Sequence, residues 1–196
     1  MPEFVGLTAE HCRKAWIITC SAFKTAFENQ IVSKWDGTVV VFCPAGRTTT
    51  EHECIGRDLV IAALDQYATE DFAALNHPDV TNRILFAGCV GEQPNARYTW
   101  YALNKALVAE RTGMASGDVR MIAPWQMLPG DIKFRGGFVD NGLVIGFSGV
   151  QESYDEAIAR TMAAWIQGQL REEMDALSAV HDPAFVPARE AASNDN

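Results

Sequence analysis

The sequence is short of the features that mark several large classes of protein. Its 196 residues hold 16 basic and 25 acidic side chains, which gives a net charge of −9. This shortage of positive charge argues against nucleic acid or an anionic membrane surface as a partner. No apolar run is long enough to span a bilayer, and the chain does not begin with a basic segment followed by an apolar one. We therefore expect a cytoplasmic protein.

Cysteine and histidine are too sparse to form a disulfide framework or a metal centre. The five cysteines are odd in number, include no C-x-x-C pair and lie mainly in apolar runs. That usage is typical of a reducing compartment, where cysteine serves as a small core residue. The four histidines have no second ligand at metal spacing, so we predict no metal site. Neither a Walker motif nor a strand-linked G-x-G-x-x-G is present, so we predict no nucleotide-binding loop.

The most informative stretch that is present is a predicted β-hairpin. Residues 134–139 and 143–147 are extended apolar runs, and Asp140-Asn141-Gly142 separates them. Asn-Gly favours a tight hairpin turn because both residues tolerate a positive φ. Glycines flank the hairpin at Gly136-Gly137 and in Ser148-Gly149, where they would let a ligand or another backbone approach closely. A helix with an acidic first turn follows, and its free amides can bind an anion; a tight structural corner is the alternative.

Hydrophobic periodicity predicts the other elements. Apolar residues at helical spacing predict helices at 8–29, 55–68, 98–112 and 154–177. Runs of β-branched or apolar residues predict strands at 38–43 and 83–90, with a further short strand at 119–122. Segment 47–82 is predicted to be a helical insertion between two strands. The polar residues 178–196 are predicted to form a mobile C-terminal tail or arm.

These elements predict an α/β protein of the α+β type. Because the strands meet mainly through hairpins, the sheet should be largely antiparallel, with helices packed on its faces. A chain of this length can bury one sizeable core, so we predict a single domain over residues 1–177.

Three side chains near these elements are candidates for ligand binding. Lys105 has apolar neighbours on the 98–112 helix; a desolvated lysine can act as a base or pair with a carboxylate, whereas the alternative is a lysine that snorkels to solvent. Arg135 stands beside Gly136-Gly137 and can hold a carboxylate or phosphate, the alternative being a solvated charge at a strand end. Tyr101 belongs to an aromatic cluster that can wall a pocket, although such clusters more often belong to a core. The other members of the predicted cluster are Tyr98, Trp100, Trp125 and Phe138.

The hairpin motifs as a set resemble the C-terminal signature of the GlcG/HbpS-like family. The matching residues are Arg135-Gly136-Gly137, the run 141–150 with its Asn-Gly turn and its G-x-S-G segment, and Asp155-Glu156-Ala157 at the helix start. Lys105 matches the lysine of the family's middle helix, and the resemblance covers most of residues 8–170. It implies an antiparallel sheet flanked by helices and assembly into dimers or larger rings, so we expect a homo-oligomer. Family members are commonly labelled haem-binding or haem-degrading, which makes haem the one candidate cofactor.

We predict a small-molecule-binding protein with an anionic ligand, and leave open whether it is an enzyme. As an enzyme it would be an isomerase, lyase or hydratase that acts on a small organic acid in a catabolic pathway. Lys105 and Arg135 would hold the carboxylate, and Asp155 or Lys105 would move a proton. The amides of Gly136 and Gly137 would stabilise oxyanion charge. The same pocket would also be lined by Ser148, Gly149 and Tyr101.

Two other functions stay open. One is a haem-binding or haem-degrading protein, in which His11 or His77 would be an axial ligand of the iron. Only the family resemblance favours that function. The other is a non-catalytic assembly protein, in which exposed apolar surface and the C-terminal arm would make the subunit contacts.

Overall fold

The computed structural model describes residues 6–44, 48–67 and 80–178. These ranges hold five α-helices and four β-strands. In chain order they are α1 (Ala9–Glu28), β1 (Gly37–Phe42), α2 (Arg57–Tyr67), β2 (Ile84–Val90), α3 (Ala96–Thr112), α4 (Ser116–Ile122), β3 (Gly137–Asp140), β4 (Leu143–Ser148) and α5 (Glu152–Ser178). In this part of the chain, no helix is both long and apolar enough to cross a membrane.

The four strands form one antiparallel sheet in the order β2-β1-β4-β3. The predicted hairpin joins β3 to β4, and its turn residues Asn141 and Gly142 have φ values of 49° and 83°. Both values lie in the left-handed region that an Asn-Gly turn requires. In the described part of the insertion between β1 and β2, one isolated bridge joins the sheet edge, where Ile55 pairs with Phe86. The predicted α+β class with an antiparallel sheet is confirmed.

Helices cover both faces of the sheet because the central strands alternate their side chains between two cores. β1 and β4 are buried along their whole length. On one face, α1 and α5 pack against Val39, Val41, Ile145 and Phe147. On the other face, α2 and α3 pack against Val40, Phe42 and Val144. The β-branched and aromatic residues that predicted these strands are the ones that fill the two cores.

Helix α3 lies directly against the backbone of the hairpin strands. A Cβ atom at Gly146 would overlap the carbonyl oxygen of Ala102, and one at Gly137 would overlap the carbonyl oxygen of Lys105. The hairpin glycines therefore admit a helix backbone rather than a ligand. This close approach fixes the height of Lys105 above the sheet.

One predicted strand and the start of another are wrong. Residues 119–122 are helical, because α4 begins at Ser116 and the carbonyl oxygen of Ala115 accepts hydrogen bonds from the amides of Asp118 and Val119. Strand β3 begins at Gly137 rather than at residue 134, because Gly136 has a φ of +124° and breaks the extended run. Of the predicted tail 178–196, only the first residue, at the end of α5, lies within the described ranges.

Two glycine-to-alanine substitutions test the contact between α3 and the hairpin. We expect Gly146→Ala to lower the free energy of unfolding by about 1–3 kcal/mol, because the added methyl group forces α3 off the sheet. Gly168→Ala is the matched control, since nothing lies within 4 Å of a Cβ at this position in α5. It should raise the free energy of unfolding by up to about 1 kcal/mol through helix propensity. Urea denaturation measures both; equal stability of the two variants would contradict the close packing of α3.

Candidate functional site

A cleft of about 380 Å³ opens where β4 runs into α5. Three parts of the chain line it. Helix α3 contributes Tyr98, Tyr101 and Lys105; the β4–α5 junction contributes Ser148, Gly149, Val150, Glu152 and Asp155; and two loops contribute Lys34 and Phe134. The cleft therefore brings together residues that are more than one hundred positions apart in the sequence.

The α3 wall of the cleft follows from helical spacing. Tyr98, Tyr101 and Lys105 stand at i, i+3 and i+7, so they share one face of the helix. The two tyrosines are half-buried, whereas Lys105 is only 1% exposed. Seven residues of α-helix rise about 10 Å, so Tyr98 marks the mouth of the cleft and Lys105 its floor.

Lys105 makes a buried ion pair with Asp155. Its Nζ donates to Asp155 Oδ2 at 2.6 Å, to the carbonyl oxygen of Phe147 at 3.1 Å and to Ser148 Oγ at 3.2 Å. The side chains of Lys105 and Asp155 are 2% and 3% exposed. An ammonium group has three N–H donors, and all three have protein acceptors here. Lys105 does not snorkel to solvent; it joins α3, β4 and α5 at one point.

Asp155 occupies the place where the sequence predicted an external anion. Its Oδ1 accepts the amide of Val150 at 2.9 Å, and its own amide donates to the carbonyl oxygen of Gln151 at 3.0 Å. A carboxylate at a helix start satisfies free amides and interacts favourably with the helix dipole. The protein therefore supplies the anion at the start of α5 from its own chain.

Burial shifts both members of the ion pair toward their neutral forms. Desolvation lowers the pKa of Lys105, and the carboxylate of Asp155 opposes that shift. Desolvation raises the pKa of Asp155, and Lys105 opposes it in turn. Transfer of a proton from Lys105 to Asp155 therefore costs less free energy here than it would in water. The pair is suited to moving a proton.

Two of the predicted glycine positions are closely packed around the cleft, one against the ion pair and one against the loop before β1. A Cβ at Gly136 would lie 2.9 Å from the Asp155 Cβ and 3.1 Å from the Lys105 Cδ. A Cβ at Gly149, which lines the cleft, would overlap the carbonyl oxygen of Asp36. Both residues are therefore needed for packing around the floor of the cleft.

The roles predicted for Arg135 and Gly137 do not fit the structure. Arg135 does not line the cleft; its side chain runs over Gly117, and its amide donates to Glu152 Oε2 at 3.2 Å. The amide of Gly137 already donates to Ser116 Oγ at 2.9 Å, so it is not free for an oxyanion.

Lys34 is a site residue that the sequence did not reveal. It comes from the loop after α1, is half-buried and donates a hydrogen bond to the hydroxyl of Tyr98. Of the acidic residues in the described ranges, none forms an ion pair with Lys34, while Glu152 across the cleft pairs with Arg120 at 3.3 Å. A single lysine in a turn carries no periodic signal, so only the folded chain shows that it faces the cleft.

The aromatic wall is only partly the predicted one. Tyr101 lines the cleft, and its ring centroid lies 6.4 Å from that of Phe134. Trp100 instead lies in the core between α2 and α3, and Trp125 is 77% exposed. Phe134 was predicted as a strand residue; the late start of β3 leaves it in a loop at the mouth.

The residues of the cleft do not fit a haem group. The lining holds neither histidine nor cysteine, and the hydroxyls of Tyr98 and Tyr101 already accept hydrogen bonds from Lys34 and from Arg97, the latter at 3.0 Å. Across the described ranges, no group of three or more His, Cys, Asp or Glu side chains could hold a metal ion.

The predicted haem ligand His11 is engaged at both ring nitrogens. Its Nδ1 lies 2.8 Å from Thr8 Oγ1 and caps α1, and its Nε2 lies 2.7 Å from Glu173 Oε1. His11 therefore joins the start of α1 to α5 and is not a free iron ligand. The other predicted ligand, His77, lies outside the described residues.

Comparison with known proteins finds likeness in fold. No family model matches the chain, and no curated protein matches its sequence. Among solved structures, the Klebsiella pneumoniae protein ORFY, described as family DUF336, has a TM-score of 0.47 and 15% identity over 82% of this chain and 90% of its own. A double mutant of Streptomyces reticuli HbpS has a TM-score of 0.44 and 17% identity over 84% of this chain and 89% of its own.

The second of these structures carries the HbpS name of the family that the hairpin motifs resemble. At these identities and TM-scores the likeness carries no ligand and no residue role to this chain.

Substitution of Lys105 tests the buried ion pair. We expect Lys105→Met to lower the free energy of unfolding by about 3–5 kcal/mol at pH 7, because Asp155 is left buried without a cation. The pKa of Asp155 is higher in the folded protein than in the unfolded chain, and loss of Lys105 removes a group that lowers it. As pH falls, Asp155 of the folded variant therefore takes up a proton before Asp155 of the unfolded chain does. The loss of stability relative to wild type should therefore be smaller at pH 5 than at pH 7.

The double variant Lys105→Met/Asp155→Asn is the matched control. It removes both charges and keeps an acceptor for the Val150 amide, so it should recover much of the stability lost in Lys105→Met. Chemical denaturation at the two pH values measures all three proteins. A loss in Lys105→Met that is the same at pH 5 and pH 7 would mean that Asp155 is not an unpaired charge in this variant.

Proposed function

We propose that the protein binds a small organic acid with an aromatic or other flat apolar body in this cleft. The observation that carries the proposal is the position of Lys34, a half-buried cation with no carboxylate partner in the described ranges, at the mouth of an aromatic-walled cleft. Ligand pockets typically combine apolar walls with a few polar groups that fix orientation. The cleft volume of about 380 Å³ suits a ligand of that size.

The ligand carboxylate is assigned to Lys34 rather than to Lys105. The three N–H groups of Lys105 already donate to Asp155, Ser148 and the Phe147 carbonyl oxygen, and a ligand would have to displace one of these acceptors. Lys34 has no carboxylate partner in the described chain; its Nζ donates to the neutral Tyr98 hydroxyl and lies 4.6 Å from the centroid of the same ring. Charge-assisted contact with Lys34 would hold the acid with its other end directed at the floor.

We further propose that the protein is an enzyme in which the Lys105–Asp155 pair moves a proton at the far end of the ligand. Perturbed ionisable pairs in clefts cluster at catalytic sites. Asp155 and Ser148 line the cleft beside Lys105, so a bound molecule can reach the pair. Proton transfer of this kind suits an isomerase, lyase or hydratase acting on an organic acid.

Substitution of Lys34 tests the carboxylate site. Benzoate and its neutral analogue benzamide are the probes, and isothermal titration calorimetry is the measurement. We expect Lys34→Gln to weaken benzoate binding about tenfold or more, because a hydrogen bond to a charged group contributes about 1.5–3 kcal/mol. Benzamide affinity should be nearly unchanged.

Lys24→Gln is the control for this experiment. Lys24 lies on α1 with its side chain 63% exposed, and the substitution removes the same charge outside the cleft. Benzoate should bind this variant as it binds wild type. Equal benzoate affinity in Lys34→Gln and Lys24→Gln would remove Lys34 from the site.

We also propose that the protein is a homo-oligomer. The segment 121–134 exposes large apolar side chains: Met121 by 62%, Ile122 by 65%, Trp125 by 77%, Leu128 by 49% and Phe134 by 50%. Concentrated exposure of this kind supports contact with a second copy. We expect light scattering to give a mass above that of one chain for wild type, and Ile122→Lys/Trp125→Lys to shift it to the monomer. An unshifted mass with native circular dichroism would place the contact elsewhere.

A further inference from the structure

Lys105 has a position that a purely structural ion pair does not require. It stands at the blind end of a cleft, and two of its three acceptors, Ser148 and Asp155, line the same cleft. The third acceptor, the Phe147 carbonyl oxygen, does not line it. When Lys105 passes a proton to Asp155, its lone pair forms on the side of that carboxylate, which lines the cleft. Rotation about the Cε–Nζ bond can then turn the lone pair toward a bound molecule, since the serine hydroxyl can rotate to donate to the nitrogen or elsewhere.

The distance between the two lysines restricts the ligand that could touch both. Lys34 contacts Tyr98, and Tyr98 lies seven residues before Lys105, about 10 Å along α3. A molecule with adjacent carbonyl and carboxylate groups is shorter than this rise along α3, so a longer molecule suits the two lysines better. An extended molecule with the two groups at opposite ends, such as a para-substituted benzene ring, matches the aromatic walls as well as the length.

We propose that Lys105 is a nucleophile that forms an imine with the carbonyl carbon of an extended oxo acid whose carboxylate binds Lys34. This proposal rests on the carboxylate site proposed above and names the substrate class for that site. Lysine is a familiar nucleophile toward aldehydes and ketones when desolvation makes its neutral form available.

The step balances within the residues of the cleft. Lys105 passes one proton to Asp155, and the neutral amine adds to the carbonyl carbon, so that a C–N bond forms. A second proton moves from the nitrogen to the former carbonyl oxygen. Asp155 returns its proton to this hydroxyl, the C–O bond breaks and water leaves. The products are an iminium on Lys105, one water molecule and the Asp155 carboxylate, which stays as the counter-ion. No oxidant or reductant takes part.

The electrostatics of the floor support this role. Burial lowers the pKa of Lys105, so its neutral form is available at a lower pH than that of an exposed lysine. Asp155 is placed 2.6 Å from the reacting nitrogen, within the distance that proton transfer requires. Ser148 and the Phe147 carbonyl oxygen hold the nitrogen in position during the step.

Reductive trapping tests the proposal on the wild-type protein. The probe is 4-carboxybenzaldehyde, which carries an aldehyde and a carboxylate across one ring, with sodium cyanoborohydride to reduce the imine. Peptide mapping by mass spectrometry then locates the adduct. We expect labelling of Lys105 ahead of the exposed Lys14, Lys24 and Lys133. Benzaldehyde, which lacks the carboxylate, should label Lys105 several-fold less.

Two variants separate nucleophilic from structural effects. Lys105→Arg keeps a cation beside Asp155 but cannot form an imine, so label at this position should vanish while thermal unfolding stays cooperative. Lys34→Gln should slow the labelling of Lys105 by 4-carboxybenzaldehyde and leave labelling by benzaldehyde unchanged. Should Lys105→Arg fail to fold, the mapping of the wild-type protein still decides the question.

The outcomes distinguish this proposal from the carboxylate site. Preferred label on Lys105 supports the imine. Binding of 4-carboxybenzaldehyde in calorimetry with label only on exposed lysines overturns the imine and leaves the carboxylate site standing. Absence of both binding and preferred label overturns both proposals.

Discussion

The ion pair between Lys105 and Asp155 is the interaction on which the arrangement of this protein depends. It joins the middle of α3, the end of β4 and the first turn of α5 at one buried point. Three glycines make it possible. Side chains at Gly137 and Gly146 would hold α3 away from the sheet, and a side chain at Gly136 would overlap the carbonyl oxygen of Phe147 and crowd Asp155. The glycines therefore serve the site indirectly, by setting the distance between a helix and two strands.

A buried ion pair is a poor source of stability, which makes its placement informative. Removing two charges from water costs several kcal/mol per ion, and an apolar pair of the same size often gives an equally stable protein. Here the pair also stands at the floor of a cleft rather than in the centre of either core. This combination of cost and location favours a chemical role for Lys105 and Asp155 over a purely structural one.

The net charge of −9 does not oppose an anionic ligand, because the ligand experiences the local field. At the cleft, Asp155 is neutralised by Lys105, and Glu152 by Arg120. The charge of Lys34 remains uncompensated within the described chain. The proposed acid therefore meets a local positive charge at the mouth, although the protein as a whole is acidic.

The sequence by itself determined most of the elements, though not α4 or the start of β3, and it determined the identity of the floor. Alternation and helical spacing place the strands and α3, and the Asn141-Gly142 turn defines the hairpin. The apolar neighbours of Lys105 on its helix mark this lysine as unusual. All of these signals can be read from the sequence because each is local in the chain. Tertiary structure alone decided the partners. It paired Lys105 with Asp155, turned Arg135 away from the cleft, engaged both nitrogens of His11 and brought Lys34 to the mouth. These contacts join residues far apart in sequence, and the direction of a side chain from a loop depends on packing that no local pattern encodes.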